Sequence, residues 1–273
     1  MSLETINSLF VEHLPGDGQK IMFIHGAGGG SWYWLPFMKF YNQRGFDCYA
    51  INLRGHAPNT FMDNIGGVSI YDYIDDVSGV LDEIAGDQYI LFGHSMGGLI
   101  AQQYTADNPN KVSDLIVIGS APPGQVKLTR ADLPRLSDRI RSHLINWGLR
   151  HVARKKKPVV PVYSVTKRYI ANCIPHKEQK EFFKKLVPES SLAGIEVADG
   201  LIEIDLSDIQ IPKAVVCGDL DFMSVASMQH QLAELHKANL ITYPTHGHML
   251  MMEPGWEKVA QDLLDWLNNA HQA

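Results

Sequence analysis

Cysteine is scarce in this chain. Three residues, Cys48, Cys173 and Cys217, stand far apart in 273 positions. An odd, widely spaced set forms neither a disulfide framework nor a zinc-binding spacing. Cys48 and Cys217 lie inside apolar runs, where a thiol acts as a small buried hydrophobe. An excess of charge of one sign is lacking too. Lys and Arg total 24, Asp and Glu total 30, and the formal net charge is −6. That mild acidic balance argues against a nucleic-acid surface and is ordinary for a soluble protein. No uncharged stretch is long enough to span a bilayer, because His and Gly clusters cut each one, so membrane insertion is not expected. The first residues, MSLETINSLFVEHL, carry Glu4 early and show no basic segment followed by an apolar one. No secretory signal is read there, and the expected compartment is the cytoplasm. Repeats and low-complexity tracts are absent as well.

What is present is a rhythm. Apolar residues make up 45% of the chain, enough to bury a sizeable core. Short apolar runs alternate with helix-period segments. KIMFIHG reads as a buried strand, and DCYAINL, residues 47–53, as a second. In the stretch that follows, Ile70, Tyr73, Ile74, Val77, Val80, Leu81 and Ile84 recur at helical spacing, an amphipathic helix stopped near Gly86. QYILFGH, VSDLIVIGS, KAVVCGD and NLITYP read as four more strands. SMGGLIAQQYTADNP reads as a helix closed before Pro109, and GWEKVAQDLLDWLNNA as a last amphipathic helix. Alternation of this kind predicts a mostly parallel, doubly wound α/β sheet covered on both faces. The rhythm breaks over 122–205, which is basic and helix-like with no convincing buried strand. The expected organisation is a core of 1–121 and 206–273 with 122–205 inserted as a helical cap (lid). Such a cap lies over the carboxyl ends of the strands, where open α/β sheets bind ligands.

Chemistry collects at those strand ends. Gly93-His94-Ser95-Met96-Gly97 follows one strand and opens a helix. A serine in G-x-S-x-G there sits on a sharp, strained turn. Its flanking glycines leave room where a Cβ would collide with a neighbouring strand or helix. Serine is a poor nucleophile without a base, and the base needs an orienting acid. Two carboxylates, Asp219 and Asp221, follow a later strand, and two histidines, His246 and His248, follow the next. The glycines at 26, 28, 29 and 30 allow the backbone to approach a ligand closely. That loop has no phosphate-loop lysine and does not form G-x-G-x-x-G, so nucleotide binding is not expected. His25 reads as a structural residue of the loop. The His-Gly-His pair has no third ligand at a sensible spacing, so no metal is expected.

The segments HGAGGGSWYW (25–34), LRGHA (53–57), GHSMGG (93–98), GDLD (218–221) and HGHMLMMEPGW (246–256) together resemble the α/β-hydrolase superfamily over nearly all of the chain outside the cap. The resemblance implies the fold of that name and a Ser-acid-His triad in chain order. Its G-x-x-D and G-H patterns select Asp221 and His248 as partners of Ser95. It also implies an oxyanion hole from the backbone N–H of Met96 and an N–H of the glycine loop, with Ala27 the candidate by position. The aromatic loop and the GHML ending look like the small-ester branch that holds plant methyl esterases and hydroxynitrile lyases. Ser95 stands where the dehalogenase and epoxide-hydrolase branches have an aspartate. Two departures stand out: Ala57 replaces a common Gly, and the cap is basic and polar where the lyases have compact apolar caps.

The reading is a serine hydrolase of a small or medium ester, thioester or lactone, with no cofactor, acting as a monomer or homodimer. C–C bond hydrolysis, cyanohydrin cleavage and cofactor-free oxygen chemistry on the same triad remain open, as does a non-catalytic small-molecule receptor. Trp32, Met223 and Met249 are the substrate-binding candidates. Core packing competes with that role for each aromatic of the loop and for most of the methionines. Trp147 and Phe182 are further candidates from the cap. RHVARKKKP, residues 150–158, reads as a solvated cap face, with an anionic partner as the alternative.

Overall fold

The inner apolar strands predicted above are buried on both faces. The computed structural model describes residues 1–60, 62–84, 86, 88–128 and 148–271. Eight strands form one sheet in the order β1-β2-β4-β3-β5-β6-β7-β8. β3 (Lys20–Ile24), β4 (Asp47–Ile51), β5 (Tyr89–His94), β6 (Val112–Ile118), β7 (Lys213–Gly218) and β8 (Asn239–Tyr243) are mutually parallel. β1 (Ser2–Ile6) and β2 (Leu9–Leu14) form an antiparallel hairpin whose second strand pairs antiparallel with β4. The sequence reading assigned no structure to this hairpin. β8 also departs from expectation: as the sheet's edge it exposes Asn239 and Thr242, unlike the inner strands.

Alternation along each strand sends side chains to two cores. Met22, Ile24, Leu91, Leu115 and Val215 face α2 (Ile70–Glu83), α3 (Met96–Asp107) and α6 (Ala226–His236). Ile21, Phe23, Phe92, Ile116 and Val216 face α1 (Leu35–Asn42) and α7 (Trp256–Ala270). α2 begins where predicted because Ser69 and Asp72 form a capping box, the Ser69 Oγ accepting from Tyr71 N–H and the Asp72 carboxylate from Ser69 N–H.

The inserted segment leaves after β6 and returns before β7. Its described helical parts are residues 148–153, helical turns over Tyr163–Ile170, α4 (Gln179–Lys185) and α5 (Ser191–Ala198). Outgoing and returning chains run side by side: Gly124 N–H donates to Ile202 O at 2.7 Å, and Ile204 N–H to Gln125 Oε1 at 3.2 Å. The insertion is thus an excursion from one point of the sheet. α5 docks back on the core through Ser190 Oγ, which donates to Val68 O, and through Ser191 Oγ, which donates to Gly66 O at 3.0 Å. Trp147 lies outside the described residues.

Candidate active site

Ser95 directly follows β5 and precedes the first residue of α3, with φ 52° and ψ −121°. A non-glycine residue in this region is strained, at a cost on the order of 1–3 kcal/mol. The surroundings hold it there. Ser95 N–H donates to Ile118 O at 3.1 Å, and its own carbonyl accepts from Ala121 N–H at 2.9 Å. The glycines are needed for close approach. A Cβ on Gly93 would lie 2.5 Å from Gly97 O, and one on Gly97 would lie 2.4 Å from Ile24 O, both backbone atoms.

β5, β6, β7 and β8 are neighbours and parallel, so Ser95, Gly119, Asp221 and His248 follow along one edge of the sheet. Asp221 is buried. Its Oδ1 accepts from Met223 N–H (2.7 Å) and Ser224 N–H (2.9 Å), and its Oδ2 accepts from His248 Nδ1–H at 2.8 Å. With Nδ1 committed as a donor, Nε2 of neutral His248 carries the free lone pair. Among the described residues Ser95 Oγ carries no hydrogen bond, and contacts of this kind commonly tighten only when substrate is bound. Asp219 is exposed and does not meet His248. His246 does not pair with a triad carboxylate among the described residues. It is buried, with its ring against Tyr243 and Nδ1 3.5 Å from Thr245 Oγ1.

Two residues that sequence reasoning passed over fix His248. His94, the variable residue before Ser95, directs Nε2–H to His248 O at 2.9 Å, its ring 4.7 Å from the His248 ring. Burial and the neighbouring His248 push its pKa well below the ordinary value, which keeps it a neutral donor. Glu253 straps the backbone on both sides, accepting from Gly247 N–H (2.7 Å) and Met249 N–H (3.0 Å). The only sequence signal for Glu253 is a lone acid in the apolar run MLMMEPGW.

The glycine loop follows β3. His25 is buried, with Nε2 accepting from Leu53 N–H (3.2 Å) and Nδ1 donating to Gly26 O (2.9 Å). It is a structural residue, as read from the sequence. Burial, followed by the nearby His56 charge, lowers its pKa to about 3. Ala27 is exposed, and among the described residues neither its N–H nor that of Met96 donates a hydrogen bond. Both are unspent donors, and the Met96 N–H sits at the positive end of α3.

The substrate-binding candidates separate. Trp32 is half-buried beside the loop, its ring 4.5 Å from Tyr33 and 5.3 Å from Phe182, with Lys185 Nζ 5.1 Å from its centroid. Met223 follows Asp221 and is 49% exposed. Met249 is wholly buried in the core shared with α7, so it offers no surface to a ligand in this conformation. Phe182 is also buried, stacked parallel to Tyr33 at 5.9 Å.

A family model described as the alpha/beta hydrolase fold matches residues 20–254. The chain is 24% identical over 261 residues to the non-heme chloroperoxidase CPO-A1 of Kitasatospora aureofaciens, covering 93% of this chain and 94% of that one. It is 33% identical over 114 residues to the bifunctional esterase/perhydrolase DCH of Acinetobacter calcoaceticus, 41% of each chain. Among solved structures, an esterase from Exiguobacterium antarcticum superposes with a TM-score of 0.74 at 20% identity, covering 95% of both chains. A likeness at that identity speaks for the fold.

Proposed function

The chain belongs to the alpha/beta hydrolase fold family, and from that premise we propose that it is a serine hydrolase of small or medium carboxylic esters, thioesters or lactones. In this reading Ser95 Oγ attacks the substrate carbonyl as His248 Nε2 takes its proton. Asp221 holds the imidazole in the required tautomer and stabilises the imidazolium that forms. The N–H groups of Ala27 and Met96 receive the developing oxyanion. His248 returns the proton to the leaving alcohol, and water then cleaves the acyl-enzyme by the same steps. The observation that carries the reading is the buried Asp221–His248 pair, 2.8 Å apart, on the same sheet edge as a serine held at positive φ.

The test is hydrolysis of a short and a medium p-nitrophenyl ester by the wild type and by Ser95→Ala, beside mass spectrometry after a fluorophosphonate. Turnover lost by at least about 10³-fold in the variant, with the label on Ser95, is the expected result. Label on Ser95 without ester turnover moves the reading to C–C, lyase or receptor chemistry. A chain in which Ser95 is neither labelled nor needed overturns it.

A further inference from the structure

The glycine loop is pinned from the cap. Glu189, buried in the inserted segment just before α5, spends its carboxylate on four donors, three of them outside the insertion. Oε2 accepts from Gly28 N–H at 2.8 Å and from His56 Nε2–H at 3.0 Å. Oε1 accepts from Tyr73 Oη–H at 2.6 Å and from Ser190 N–H at 2.6 Å. His56 Nδ1 faces Arg54 O at 3.0 Å, so both ring nitrogens meet acceptors, an arrangement that favours the imidazolium. The cap holds the loop a second time, Val187 N–H donating to Gly28 O at 3.0 Å.

Ala27 therefore sits between two fixed peptide planes. In the peptide before it, Gly26 O accepts from His25 Nδ1–H (2.9 Å) and Gly29 N–H (3.2 Å). A trans peptide points N–H opposite to C=O, so anchoring that oxygen aims the Ala27 N–H the other way. In the peptide after it, Gly28 N–H is anchored on Glu189. Gly28 itself has φ +66°, a conformation that glycine adopts freely and that external bonds must select. The His56 charge, its ring 4.8 Å from the His25 ring, favours the neutral His25 whose Nδ1–H makes the first anchor.

We infer that Glu189 is a positioning residue: with His56 it fixes the Gly26–Gly28 loop so that the Ala27 N–H is preset for the oxyanion, which makes that hole dependent on a docked cap. The inference rests on the proposed serine-hydrolase reading for its catalytic consequence, while the pinning of the loop is independent of it. A donor set about 1 Å out of place forfeits most of its transition-state stabilisation and little of its ground-state binding.

The test compares Glu189→Gln with Ser191→Ala. The second variant removes one cap-to-core bond, at Gly66, and leaves the four bonds of Glu189 that hold the cap against the loop. Two readouts are taken: hydrogen–deuterium exchange of the peptide spanning residues 25–31, and kcat and KM on the p-nitrophenyl esters. An amide at 189 presents N–H groups to one pair of donors. The expected result is faster exchange of the 25–31 peptide and a kcat at least about tenfold lower with KM within threefold. Ser191→Ala is expected to keep kcat within about twofold after correction for thermal stability. Wild-type exchange in Glu189→Gln overturns the inference, as does an equal kcat loss in both variants at equal loss of stability. Should Glu189→Gln fail to fold, Glu189→Asp is judged by the same criteria, since it keeps the charge but draws back from Gly28. A wild type that turns over no ester defeats the hydrolase reading alone, because the exchange result still decides the pinning.

Discussion

At the scale of single residues, the site is held by side chains that spend themselves on backbone groups. Glu253 is the clearest case, since its two oxygens accept the N–H groups on either side of His248. Replacing it with Gln leaves one of those donors facing an amide NH2, at a cost of about 1–3 kcal/mol for a buried unsatisfied group. We expect Glu253→Gln to lower kcat by about tenfold and the unfolding free energy by that amount, read from ester kinetics and urea melts. Wild-type kcat with reduced stability alone would show that His248 needs no strap. The candidate triad was legible in the sequence because a nucleophile on a strand-to-helix turn needs glycines at fixed offsets, and the string shows them. The choice of Asp221 over Asp219 and of His248 over His246 came from resemblance, and the structure places the chosen pair 2.8 Å apart. His94, Glu253 and Glu189 were illegible for one reason. Each bonds to backbone groups, which have no letter in a sequence, and for Glu189 the partner is 161 positions away.

At the scale of elements, the inner strands and α2, α3 and α7 were legible from apolar runs and helical periodicity. The β1–β2 hairpin escaped because β1 is an exposed edge with no apolar alternation to read. α1 and α6 escaped because α1 is only eight residues long with a proline in its first turn, and α6 mixes polar residues through its length and shows weak periodicity. α6 also carries a contact that ties three segments together. His236, near its end, accepts from Leu206 N–H at Nδ1 (3.2 Å) and donates from Nε2 to Gln102 Oε1 in α3 (2.8 Å). Leu206 lies on the chain returning from the cap, so one neutral imidazole joins α6, α3 and that return. Burial lowers its pKa from 6.5 to about 4. The unfolded chain takes up this proton below about 6.5, while the folded chain resists it until about 4. Stability is therefore lost as pH falls through that window. His25, lowered to about 3, adds a loss of the same sign. Urea melts from pH 6.5 to 4 should show the decline, shallower in His236→Gln by up to about 1.4 kcal/mol per pH unit. Parallel declines in the two proteins would mean that His236 does not titrate as its burial implies.

At the scale of the whole molecule, the small net charge of −6 conceals a separation. Of the 24 Lys and Arg residues, 16 fall within 122–205 against nine acids, while the rest of the chain has eight basic and 21 acidic residues. That stretch is thus formally +7 and the remainder −13. Arg154, Lys155, Lys156, Lys157, Lys167, Arg168, Lys180 and Lys185 are exposed, and among the described residues none of them forms an ion pair. Lys185 stands over Trp32, beside the glycine loop, so part of this charge borders the candidate site. A positive field at the mouth of a site raises the local concentration of anions, and salt screens it, the Debye length shrinking from about 30 Å at 0.01 M to about 8 Å at 0.15 M. Over that range kcat/KM for a p-nitrophenyl ester carrying a free carboxylate should fall by about threefold or more, while that for a neutral ester of equal length should hold nearly constant. Charge reversal at Lys155, Lys156 and Lys157 should flatten the first dependence and leave the second alone. Equal salt responses for the two esters would reduce the basic insertion to a solvated surface, the plainer reading of RHVARKKKP, and would leave selection of substrate to the shape of the site.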